Sequence, residues 1–168
     1  MQHQDYVKRL ASTLRESGCT TTEAVHFEGR FFSFVARRSR LAWIVVVPMF
    51  ADECFIATFT SKLTREKMLE HIKACGTYAA SHSSPQSLLN RMIGGFATVY
   101  AIVLAEEATN ESLDLVRRPP PLRSTWPTLV PVVLRLSSGE LTYFEKCPVM
   151  GGAVYREMRK VIAKAFAG

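Results

Sequence analysis

The chain has 168 residues, 48% of them hydrophobic and 21% charged, with a net charge of +6. That size and composition suit one domain spanning 1–168 that buries its own core, and they exclude a disordered or fibrous chain. The positive charge permits nucleic acid, acidic proteins or anionic surfaces as partners without requiring any of them.

The first residues hold no apolar run of the kind a secretory signal needs. Residues 5–17 predict a helix, with Tyr6, Val7, Leu10 and Leu14 at helical spacing and Gly18 as the stop. Thr20, Thr21 and Thr22 read as a polar link. Residues 25–36 and 41–47 then read as two strands, apolar on both faces, joined by a turn at Arg37, Arg38, Ser39 and Arg40. A strict two-residue period puts Phe32 and Phe34 on one face, with Phe27, Phe31 and Val35 on the other. A half-exposed strand would alternate apolar and polar residues, so both faces of this sheet are expected to be covered by helices or by a second subunit. Asp52 and Glu53 read as a turn before a third strand, CFIATFT, at residues 54–60.

Thr64 caps a helix over residues 65–80, with Met68, Leu69, Ile72 and Ala79 as its buried stripe. Ser84–Pro85 opens a further short helix carrying Leu88, Leu89, Met92 and Ile93, stopped by Gly94–Gly95. Residues 96–105 make a fourth strand. The acidic stretch after it leads into an irregular proline-rich connection, residues 117–127, RRPPPLRSTWP. Residues 128–136 and 141–144 form a second hairpin around Ser138–Gly139, and residues 153–167 a closing amphipathic helix. The expected fold is a single α+β domain. Its sheet is largely antiparallel, of five to six strands, in the order α-β-β-β-α-α-β-β-β-α. Small dimeric chaperones of secretion systems are similar in element order, but the chain shares no motif with them.

The longest apolar runs, residues 41–51 and 96–105, are about half of the roughly 20 residues a membrane helix needs, so a cytoplasmic protein without membrane contact is expected. The four cysteines, Cys19, Cys54, Cys75 and Cys147, show no CxxC spacing and read as free thiols.

Two basic groups stand out as candidate sites. Arg37, Arg38 and Arg40, with Arg30 upstream, suit an anion or a nucleic-acid backbone, with nearby aromatics available for stacking. The runs that are apolar on both faces favour the other reading, a solvated turn whose arginines pair with nearby acids while the aromatics fill the core. A second patch joins Arg117, Arg118, Arg123 and Trp126 around a PPPL segment of the kind an aromatic groove can hold. Cys147 precedes a proline in a loop closed by Gly151–Gly152 at a helix start, where a thiol can be activated. No GxxxxGK[ST], GxGxxG or GxSxG pattern supports catalysis there.

His71, Cys75 and His82 lie close in sequence, but no fourth ligand accompanies them, and neither a metal nor a cofactor is expected. Metal-dependent nucleases of the restriction-enzyme type need an acidic residue followed by Glu-x-Lys on the next strand. The strand after Asp52 and Glu53 holds neither Glu nor Lys, which excludes that chemistry. The leading expectation is a non-catalytic module acting through protein contacts, as a homodimer. The alternatives are an anion or nucleic-acid binder using the arginines, and an enzyme with an unrecognised site near Cys147 and Gly151–Gly152.

Overall fold

The computed structural model describes residues 3–44, 47–83, 96–122, 127–149 and 151–166. The helix expected over residues 85–93, with Gly94–Gly95, falls outside them, as do Arg123 and Trp126. In chain order the elements are α1 (His3–Glu16), β1 (Thr20–Phe27), β2 (Arg30–Ile44), β3 (Val47–Leu63), α2 (Arg65–Ser81), β4 (Phe96–Ala108), α3 (Asn110–Val116), β5 (Thr128–Arg135), β6 (Glu140–Thr142) and α4 (Gly152–Phe166). The six strands form one sheet in sequential order.

The fold is α+β, but the sheet is mixed rather than largely antiparallel. β1, β2 and β3 form an antiparallel meander, β3, β4 and β5 run parallel, and β6 returns antiparallel to β5. Parallel neighbours need a crossover rather than a hairpin. The links from β3 to β4 and from β4 to β5 supply it, carrying α2 and α3 respectively. α3 lies in the acidic stretch, where no helix was expected. Thr109 caps it, its Oγ1 accepting from the Ser112 N–H, and Leu113 and Val116 face inward.

Helices cover both faces of the sheet. On one, α1 contributes Leu10 and Leu14 and α4 contributes Tyr155, Met158, Val161 and Ile162, against Phe34, Phe55, Tyr100 and Ile102. On the other, α2 packs Ala74, Cys75 and Tyr78 on Phe32, Ile56 and Val99, and α3 packs Leu113 and Val116 on Val103 and Val133. Thr64 caps α2 as expected, but the buried stripe of that helix runs through Met68, His71, Ala74, Cys75 and Tyr78, and Leu69 is exposed.

The first hairpin turns at Glu28–Gly29, not at the arginines. Both residues have positive φ, 48° and 74°, and Phe27 pairs with Arg30 around them. That is the two-residue geometry whose twist suits a hairpin. The expected polar link of threonines is therefore the start of β1. Phe32 and Phe34, expected on one face, enter opposite cores. The ladder is interrupted between them, at Ala24 (φ 54°) and Ser33, and the interruption resets the alternation.

The expected turn at residues 37–40 and the expected turn at Asp52–Glu53 are both strand interior. Arg38 pairs in register with Glu53, Ser39 with Asp52 and Arg37 with Cys54. Each polar cluster finds the other across the ladder, so neither needs solvent. β2 and β3 thus continue as one long antiparallel pair, ending with Ile44 against Val47.

Candidate functional site

The long β2–β3 pair overruns its neighbours. β1 pairs with β2 only as far as Arg37, and β4 joins β3 only from Ala51 onward. Among the described residues, no strand flanks residues 40–44 on the β1 side or residues 47–50 on the β4 side. What remains is a two-stranded ribbon, and its sequence over residues 41–50, LAWIVVVPMF, holds no charge and no polar side chain.

An ion cluster anchors the base of this ribbon. The Glu53 side chain is 1% exposed and takes two guanidinium groups. Arg38 Nε donates to Oε2 at 2.5 Å, and Arg40 donates from Nη2 to Oε1 at 2.9 Å and from Nε to Oε2 at 3.3 Å. Arg40 Nη2 also donates to Glu157 Oε1 on α4 at 3.0 Å, and Arg38 Nη1 to the Ser17 carbonyl after α1 at 2.9 Å. Burial opposes the charge on Arg40, but the hydrogen bonds and negative charge of Glu53, then of Glu157, outweigh it and hold its pKa above the ordinary value. Two cations and two anions balance, which is how buried charge is tolerated.

The opposite face of the same pair is different. Arg37 Nη1 donates to the His82 carbonyl at 2.9 Å, and its guanidinium lies 5.1 Å from the Tyr78 ring centroid. Beside it opens a cleft of about 240 Å³ lined by Arg37, Asp52, Cys54, His82 and Pro127. Further along that face come the cross-strand partners Leu41 and Phe50, 52% and 40% exposed.

The four arginines singled out in the sequence therefore separate. Arg38 and Arg40 share Glu53 on the α1–α4 face, while Arg37 lies on the α2 face. Arg30 sits at the other end of β2, in an exposed ion pair with Glu70 at 3.4 Å. In the second basic group, Arg117 bonds Asp114 and Glu145 at 3.3 and 3.1 Å, and Arg118 is exposed. The proline segment between them and α4 is docked on the protein itself. Tyr155 Oη donates to the Pro120 carbonyl at 2.5 Å, and burial raises the pKa of this phenol. Gly151 has a φ of 77°, and an added Cβ there would press on the end of the Leu122 side chain. The positive φ of Gly151 is what favours glycine there, an account that needs no phosphate.

Cys147 is half-buried, and Arg159, which donates to the Glu145 carbonyl at 3.2 Å, has its pKa raised chiefly by the neighbouring Cys147 and Tyr143. Cys19, Cys54 and Cys75 are buried, and burial raises all three thiols, Cys54 to about 11. His71 and Cys75 face each other in the core at 3.4 Å. Among the described residues no helix is long and apolar enough to cross a membrane.

Sequence reasoning missed Glu53 and Glu157 as partners of the arginines. The signal was present in the matching clusters 37–40 and 52–53, two basic-polar and acidic stretches at the right separation for one hairpin. Comparison with known proteins returns no matching family model, no matching curated protein and no matching solved structure.

Proposed function

We propose that this protein is a non-catalytic binding or structural module whose protein contacts are made by the β2–β3 ribbon. The observation that carries the reading is the exposed Leu41–Phe50 pair within an uncharged ten-residue run. Single exposed apolar residues are ordinary on protein surfaces. A paired apolar row at the end of an overrunning strand pair is not, and such surfaces mark interaction sites.

The ion cluster supports the same reading. Glu53, Arg38 and Arg40 tie the ribbon's base to the end of α1 and to α4. A surface held in place before binding loses less entropy when a partner arrives.

The test is paired affinity capture from the native cell, using the wild-type chain and Leu41→Lys/Phe50→Lys as baits of equal thermal stability. A protein recovered with the first and lost with the second is expected. Identical recoveries would overturn the assignment of contacts to the ribbon.

A further inference from the structure

We propose that the ribbon's partner is a second copy of this chain, joined by antiparallel pairing of the two β2 edges over residues 40–44. This rests on the reading of the ribbon as a contact surface and names its occupant.

The other edges of the sheet are protected against strand addition. β1 carries Thr20, Thr21, Thr22 and Glu23 and is bent at Ala24, with φ 54°. β6 is 3 residues long and begins with Glu140. Charge, distortion and shortness are the usual ways of blunting an edge. Among the described residues the β2 side of the ribbon is undistorted, and its one charge, Arg40, is already paired with Glu53 and Glu157. On its β3 side Pro48 offers no N–H, so the open side is that of β2.

A strand added there must be extended, open along its own edge and free of like charge. Residues 40–44 of a second copy satisfy all three conditions. A two-fold axis through Ala42 sets Arg40 opposite the second copy's Ile44 and Leu41 opposite its Trp43, and the reverse, as an isologous contact requires. No arginine then faces an arginine, a juxtaposition that would destabilise the pairing. Each Arg40 keeps its own Glu53 and Glu157. The net charge of +6 on each chain is screened over about 10 Å at 0.1 M salt. A lipid surface would leave the open backbone groups of the β2 edge in hydrocarbon without partners. A second copy satisfies them.

Light scattering on the full chain over a concentration series tests this. The expected mass is twice 18.8 kDa for the wild type and 18.8 kDa for Leu41→Lys, which stays folded by far-UV circular dichroism. Leu41 lies one step from the axis, so its two copies are diagonal neighbours about 7–8 Å apart. Leu41→Cys in a Cys147→Ser background should then be linked across the dimer by a short bis-maleimide, and Phe31→Cys in the same background should not. A mass of 18.8 kDa at every concentration overturns the second copy. So does a dimer that survives Leu41→Lys and fails to cross-link. A monomer whose captured protein is still lost in Leu41→Lys/Phe50→Lys leaves the ribbon as a contact surface for a different partner. A monomer that binds anionic vesicles through Leu41 replaces the second copy with a lipid surface. A monomer with identical capture by both baits overturns both readings.

Discussion

Around residues 38–53 the β2–β3 pair reverses the common rule for a surface hairpin. At its base the charge is inside: Glu53 lies under two guanidinium groups, with Glu157 completing the set. A few residues further out the apolar side chains are outside, Leu41 and Phe50 together. The difference teaches that one strand pair can hold buried charge at its base and exposed apolar side chains a few residues further on. The buried ion cluster ties β2 and β3 to the end of α1 and to α4, while Leu41 and Phe50 meet each other across the ladder with about half their surface exposed.

The contrast is most severely tested at its buried centre. Glu53→Gln leaves Arg38 and Arg40 short of their shared carboxylate, and chemical denaturation should show a loss of about 3–5 kcal/mol. A loss below 1 kcal/mol would mean that the cluster does not anchor the ribbon.

The second-largest effect concerns His71, buried in the core beneath Phe32. Burial lowers its pKa from 6.5 to about 4. Between those values the unfolded chain binds the proton and the folded chain does not, so stability is fully present above pH 6.5 and falls as pH drops towards 4. The fall is about 3 kcal/mol at most. His71→Gln should flatten that part of the stability profile, and an unchanged slope would assign it to other groups.

Glu157→Gln removes the outer anion, which is 18% exposed, and should cost about 1.5–3 kcal/mol, less than Glu53→Gln. Glu70→Gln breaks only the exposed pair with Arg30 and should cost about 0–1 kcal/mol. The two variants side by side separate anchored from solvated arginines. Smallest of all, Leu41→Lys should change the stability of the monomer by about 0.5 kcal/mol or less. A large destabilisation would show that Leu41 belongs to the core and would remove the ribbon's claim as a surface.

Local signals gave the helices at the two ends of the chain correctly. In α1, Leu10 and Leu14 recur at helical spacing and are buried; in α4 the same holds for Tyr155, Met158, Val161 and Ile162. The hairpin at Gly139 was equally legible, since glycine supplies its φ of 67°. The strands that are apolar on both faces correctly implied a sheet covered on both sides. Three features misled. A polar triplet of arginines resembles a turn whether or not an acidic partner waits across the ladder. A regular period cannot reveal the interruption at Ala24 and Ser33. The short helix α3 lay hidden in an acidic stretch whose capping threonine was its main marker.

By itself, the sequence determined the helices α1, α2 and α4, that the core has two sides, and that ten uncharged residues follow the arginine cluster. Those properties depend on neighbours a few residues apart. Only the tertiary structure decided that Arg38 meets Glu53, that Arg40 reaches Glu157, and that β3, β4 and β5 run parallel. These follow from strand register and crossover connections, which bring together residues from 15 to 117 positions apart. The position of the arginines inside a strand, and the apolar ribbon beyond them, are consequences of that register.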